Sequence, residues 1–508
     1  MISVFAKNHL SIMEKVTKMS TANSVFELFD LAISSEESHQ LEFVNHIPDI
    51  LTTFEKDWLR TNFLPFLVTW LPNNNIKIVK ALLPFIPQIA SSVGGLEDIS
   101  PLVESILSSD NPEIRKSLAP LLTKIHHDPT SKAFLSNLTK SSYDCVRAFV
   151  PSIITLVGNE NYQRDLVGPL VYDVSFKVRF ATAKLIKSLK SQTLAYQIAL
   201  TLTDDLHAQI RAVIPVASAK RSFLITHITP KLMADHDWSV RASVAQQLVH
   251  CKEHKEALKH CVTLAGDGVW QVKLCALRSI ATISAKVKEV PKGKKLIPIL
   301  IDIIKFPQQS LKKIVIDTFL ALHSKIKSSI STASIVNDVI LQQPPQVKLH
   351  FLTQIVNQKQ TKLVKLIKPK LLELIDSLSH NDQWRVRLGA VSLLTGLNID
   401  DQLLHQLSDL CLSMIDDEAA PVREAASVQL AQFILPSSEN GSVPSVVKKL
   451  IKSDTFRKRQ AAILIMKTLI EKSKGDAVRE TLLPHIQKLT KDPCSNVVTY
   501  AQAALKTL

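Results

Sequence analysis

The sequence predicts an all-α, superhelical solenoid of about 13–14 two-helix repeats. Three observations predict it. One charged phrase returns every 30 to 39 residues from end to end. The stretches between its copies are apolar with helical spacing. A chain of 508 residues with only 11 Gly and 5 Tyr lacks the turn chemistry of an all-β protein. One compact core stops growing near roughly 250–300 residues, so a chain of this length needs several domains or an array extending in one direction. The expectation is one solenoid over 1–508, with earlier repeats at 1–280, a lysine-rich middle at 281–370 and late repeats at 371–508.

The phrase is an acid or amide, four to five residues, then an aliphatic residue followed by Arg or Lys. It opens a helix in DVSFKVRFATAKLI, DLHAQIRAVIPVA, DHDWSVRASVAQQL, DGVWQVKLCALRSI, NDQWRVRLGAVSLL and DDEAAPVREAASVQL. Its basic positions are Lys77, Arg115, Arg147, Arg179, Arg211, Arg241, Lys273, Lys312, Lys348, Arg387, Arg423 and Arg459, with Val498 in the last slot. The acid stands six residues earlier in Asp173/Arg179, Asp205/Arg211, Asp235/Arg241, Asp267/Lys273 and Asp417/Arg423. These residues, with Arg387 and Asp492, are expected to form a structural ladder between repeats. The Asp before each second helix is placed to cap its unpaired N–H groups. Pro484 in LLPHIQKLTK is expected in a first helical turn, where its missing N–H costs little.

Composition narrows the partners. The net charge is +15, and the stretch Lys286 to Lys370 carries 16 Lys, no Arg and four acids, a surplus of 12. Nucleic-acid readers commonly add Arg forks and stacking rings to lysine, whereas this stretch has only Phe306, Phe319 and Phe351 as rings. Nucleic acid is therefore disfavoured; a solvated face is expected, with an acidic protein as the partner such a surface could take. No run of 18 uncharged apolar residues occurs, and Met1–Ser20 carries Lys7, Glu14, Lys15 and Lys18, so no membrane association is expected. Six cysteines without CxxC spacing fit a reducing compartment: the cytoplasm, with the nucleus as a second site.

No P-loop, GxGxxG, HExxH or GxSxG string is present, so neither an enzyme nor a cofactor is expected. The one metal-like cluster, His250, Cys251, His254, His260 and Cys261, matches no zinc spacing and is expected to be packed thiols and surface histidines. His126, His127 and Asp128 are a weaker candidate in a connection.

The Asp…Val-Arg spacing selects HEAT repeats over tetratricopeptide repeats, whose Trp-Leu-Gly-Tyr signature is missing. The strings NDQWRVRLGAVSLLTGL (381–397), DDEAAPVREAASVQLAQF (416–433) and LLPHIQKLTKDPCSNVVTYAQAALKTL (482–508), in that order, resemble late repeats of the scaffold (A) subunits of protein phosphatase 2A. DHDWSVRASVA, around Trp238, resembles an earlier repeat of the same family. The resemblance implies a non-catalytic scaffold joining a serine/threonine phosphatase catalytic subunit to a regulatory B-type subunit. By motif, it puts catalytic-subunit contacts on Trp384, Arg385, Phe456 and Asn496, and regulatory-subunit contacts on Arg179, Trp238 and Arg241. Trp and Arg at solvent-facing turns fit that role, since they carry interface energy out of proportion to area. Alternatives of other kinds are an importin-like transport receptor or cargo adaptor and a tubulin-binding HEAT array.

Overall fold

The computed structural model describes residues 22–71, 75–124, 129–154, 159–288, 290, 293–325, 331–394, 401–438, 442–473 and 476–508. His126, His127, Asp128 and the Met1–Ser20 stretch lie outside them. Every element among these residues is helical. The chain forms two compact units, Met1–Ser279 and Ile280–Leu508.

Within each unit the helices come in antiparallel pairs. Unit 1 includes Glu160–Val171 with Phe176–Leu185, Gln192–Leu202 with Ala208–Ser218, and the π and α turns 224–232 with Trp238–Gln247. Unit 2 includes Thr361–Ser379 with Trp384–Ser392, Asp401–Met414 with Ala420–Ser438, and Ser445–Ile451 with Phe456–Lys472. Among the described residues thirteen such pairs follow from Lys56 onward, preceded by Ala22–Ile33, Glu37–Asn45 and Ile47–Thr53.

The pairs stack because no pair can cover its own apolar surface. Phe456–Lys472 touches the helices before and after it in both directions. It accordingly buries residues nearly all round, from Ala461, Ala462 and Ile463 to Ile465, Met466 and Leu469. Each fully buried Leu or Ile contributes about 1.5–3 kcal/mol. Residues Ile76–Val93 are apolar and long enough, by composition, to cross a membrane. Their apolar side is the wall of a repeat: Ile78, Val79, Leu82, Ile86, Ile89 and Ala90 are buried. Lys77 and Lys80 on the other side pair with Glu37 and Glu113.

Two sequence expectations are corrected. Pro484 is not in a first turn: its helix begins at Asp476 and runs to Leu489, so the proline is internal. Pro120, Pro169, Pro215, Pro298, Pro369 and Pro436 are internal too. Each forgoes a helical hydrogen bond and favours a bend. The second correction concerns capping. The ladder aspartates stand two residues before the N-cap, which is Ser175 for Phe176–Leu185, His207 for Ala208–Ser218 and Asp237 for Trp238–Gln247.

Helix Ile86–Val93 ends on two glycines that need their freedom. Gly94 and Gly95 have φ of 131° and 137°, and both N–H groups donate to Ala90 O, at 3.2 and 2.8 Å. A Cβ on Gly94 would lie 2.6 Å from Asp98 Oδ2 and 2.7 Å from Lys56 Nζ. Gly94→Ala is therefore expected to cost about 1–3 kcal/mol, read as a lower urea midpoint; an unchanged midpoint would show that the turn can be rebuilt.

Candidate protein-docking edge

Every second helix follows a tight turn, and seven arginines build these turns alike. Arg147, Arg179, Arg211, Arg241, Arg387, Arg423 and Arg459 each donate Nη1 to the carbonyls six and five residues back. In six of them the other side of the guanidinium grips an aspartate of the next repeat. Arg147 takes Asp173, Arg179 takes Asp205, Arg211 takes Asp235, Arg241 takes Asp267, Arg387 takes Asp417 and Arg459 takes Asp492, with Nε–Oδ2 distances of 2.6–2.8 Å. Each aspartate also accepts the backbone N–H two residues on, at 2.8–2.9 Å, which closes its own turn.

The six-residue interval seen in the sequence is thus a bond from side chain to backbone. The carboxylate of Asp173 belongs to Arg147 of the preceding repeat, not to Arg179. Burial works to raise the carboxyls of Asp173, Asp205, Asp235, Asp267 and Asp417, but the Arg and N–H bonds outweigh it and hold all five below the usual range. At Asp492 the Arg459 bond dominates, in the same direction.

Lysine rungs differ because an ammonium cannot fork. Lys273 adds its charge to holding Asp267 low, and Lys312 donates to Gln343 at 3.1 Å. Arg423 keeps its two carbonyls but forms no ion pair among the described residues; Ser453 stands where the next aspartate would be.

The locked turns hold particular side chains outward. Trp238 and Trp384 open their helices 44% and 37% exposed. The Arg385 guanidinium lies 4.7 Å from the Trp384 ring centre, and Arg457 lies 6.0 Å from that of half-buried Phe456. Asn496 is exposed, and its carbonyl accepts Gln460 Nε2 at 3.2 Å. Arg179 and Arg241 stand differently: the ladder occupies their donors, and their side chains are largely buried.

Sequence reasoning passed over the residue five before each arginine. Its carbonyl is pinned while its side chain stays outside. In unit 1 this register gives Val174, 93% exposed, and Leu206, 91% exposed, with exposed Tyr172 beside Asp173. In unit 2 it gives Asp382, Glu418 and Asp454, all exposed. The signal was present in the register of the phrase, since the position is fixed once the Asp and the Arg are aligned.

The cysteine cluster has the character of packing. Cys251 and Cys261 are buried; burial pushes the Cys251 thiol up to about 11 and Cys261 higher still, so both stay protonated near neutral pH and make poor metal ligands. Burial likewise pushes Cys411 up to about 12. The native protein at pH 7.5 should leave Cys251, Cys261 and Cys411 unmodified by iodoacetamide until denaturant is added; rapid native labelling of these three would contradict this packing.

No description of a protein family matches the chain, and no curated protein matches it. Solved structures do. Kap121p bound to RanGTP is similar over 97% of this chain and 56% of that one, at 13% identity and a TM-score of 0.55. Kap121p bound to Ste12p is similar over 97% and 52%, at 11% identity and 0.54. Yeast importin-beta, Kap95p, is similar over 96% and 77%, at 12% identity and 0.46. The chain spans about half the length of Kap121p. Likeness at this identity is likeness of fold, and with the repeated pairs it makes the protein a HEAT-repeat α-solenoid.

Proposed function

We propose that the protein is a non-catalytic scaffold that holds other proteins on the turns between its paired helices. One observation carries this: the ladder arginines spend their hydrogen bonds on making rigid turns, which leave Trp238, Trp384, Val174 and Leu206 exposed. Tryptophans on fixed backbone are favoured interface hot spots, and exposed Val and Leu at equivalent turns add apolar contact area at little ordering cost.

Two finer readings stand on different observations. Phosphatase assembly is supported by the strings at 381–397, 416–433 and 482–508. In it, Trp384, Arg385, Phe456 and Asn496 would meet a catalytic subunit, and Trp238 with the turns of Arg179 and Arg241 a regulatory subunit. An importin-like transport receptor is supported by the likeness to Kap121p, recorded in complexes with RanGTP, Ste12p and Nup53p. The comparisons favour this second reading. Either places the protein in the cytoplasm with access to the nucleus.

The test is affinity purification of the full chain from its native cell, with bound proteins identified by mass spectrometry. A serine/threonine phosphatase catalytic subunit selects the first reading and a Ran-type GTPase the second; tubulin would replace both. A Val174→Asp, Leu206→Asp variant that is folded yet retains every partner would remove the unit 1 turns from the proposal.

A further inference from the structure

The lysine-rich stretch contains one place where charge is arranged against the local structure. Helix Thr361–Ser379 has no acid in its first turn and exposes Lys362, Lys365 and Lys368 there and in the turns just after, with Lys359 exposed just before it and Lys370 just after Pro369. The acids of this helix, Glu373 and Asp376, are exposed in its second half. A helix favours the reverse, acids at its positive N-terminal end and bases at the other. Lys362, Lys365 and Lys368 are also i, i+3 neighbours of one sign, about 5–6 Å apart at Cβ, which is repulsive. Lys359, Lys362, Lys365 and Lys370 form no ion pair among the described residues. Lys359 holds φ of 50°, where its N–H and that of Gln360 close the preceding helix onto Val356 O and Ile355 O. That left-handed position usually goes to Gly or Asn. Folding gives no pairing role to Lys359, Lys362, Lys365 or Lys370 among the described residues.

We propose that Lys359, Lys362 and Lys365 form a docking face for an Asp- and Glu-rich segment of a partner protein. Charge complementarity identifies the occupant. In an extended segment, side chains on one face recur about every 6.6–6.8 Å, near the lysine spacing, so alternate carboxylates meet successive ammonium groups. Nucleic acid fits less well: the stretch Lys286 to Lys370 contains no Arg, and Phe319 and Phe351 are buried. A bilayer fits less well too, because the exposed large apolar residues among the described residues of unit 2, Trp384 and Leu412, lie on other helices, away from this face. The face is independent of the turn edge, so either can fail alone.

The experiment titrates a fluorescein-labelled decaglutamate peptide with the full chain at low and at physiological salt. Lys362→Glu with Lys365→Glu is expected to weaken binding at least tenfold. Lys448→Glu with Lys449→Glu, an equal charge change at two exposed lysines of Ser445–Ile451, should weaken it less than threefold. The first variant should also unfold no earlier than the parent, since its new acids suit the helix end. Equal losses in both variants would overturn the proposal in favour of undirected charge attraction. So would phosphatidylserine vesicles or single-stranded RNA that bind the parent more tightly than the peptide and lose that binding in the first variant.

Discussion

Arg211→Met should destabilise unit 1 by roughly 3–5 kcal/mol, the range for removing one partner of a buried ion pair. Arg211 and Asp235 are the most enclosed rung, with side chains 5% and 6% exposed. The substitution strands the carboxylate and frees the carbonyls of Asp205 and Leu206 in the same step. Hydrogen exchange should quicken at the turn 205–211 and in the next turn, where Asp235 loses its restraint. Arg423→Met supplies the comparison: with no carboxylate to strand, it should cost only about 1–2 kcal/mol for two carbonyl bonds. Equal losses at the two sites would mean that the forks across repeats contribute nothing. The same rungs set a pH limit. Their aspartates titrate below the unfolded value of about 3.9, so their stabilisation is complete above it and fades as pH falls through the lower folded values. Urea midpoints should therefore stay level from about pH 7 to 5 and drop below about pH 4.

Trp384→Ala combined with Phe456→Ala should weaken capture of the unit 2 partner by about 30-fold or more, the loss of a single hot spot of about 2 kcal/mol setting the lower bound. Trp384 is part-exposed beside Arg385, and truncation removes ring area together with the guanidinium's stacking partner. Fold stability should change little at Trp384, which anchors no core. It should fall somewhat at half-buried Phe456, so the Trp384 single variant is the cleaner probe. Binding measured with purified partner and urea midpoints measured together separate the two effects. Full retention of the partner by the folded double variant would remove these residues from the interface.

Much of this architecture could be read from residues alone. The Asp and Arg of each phrase were visible because a fork between them needs fixed chemistry at fixed spacing, and so the repeats and their register followed. Their pairing was not visible. A ladder between repeats was expected, but the spacing alone left open which aspartate each arginine takes; Arg147 takes Asp173 across a full repeat, while Arg179 binds the carbonyl of Asp173. Internal prolines escaped for a similar reason: stacking holds a helix that local propensity would end at Pro484. On the edge itself, the exposure of Trp238 and Trp384 followed from their place where turn passes into helix, whereas Val174 and Leu206 went unnoticed because an aliphatic residue in a short turn resembles core.

The missing carboxylate opposite Arg423 makes one joint in unit 2 unlike its neighbours. The turn keeps its shape, yet the seam to the following repeat has no fork across it. Two weaker ties run nearby: Lys458 lies 3.9 Å from Asp416, and Tyr500 reaches over an intervening helix to donate to Glu424 at 2.6 Å. Exposed ties of this kind yield more readily than enclosed ones. The closely packed helices Ala420–Ser438 and Phe456–Lys472 carry this seam instead, so a partner that presses neighbouring turns apart should loosen the turn edge here first while the helices behind it stay packed.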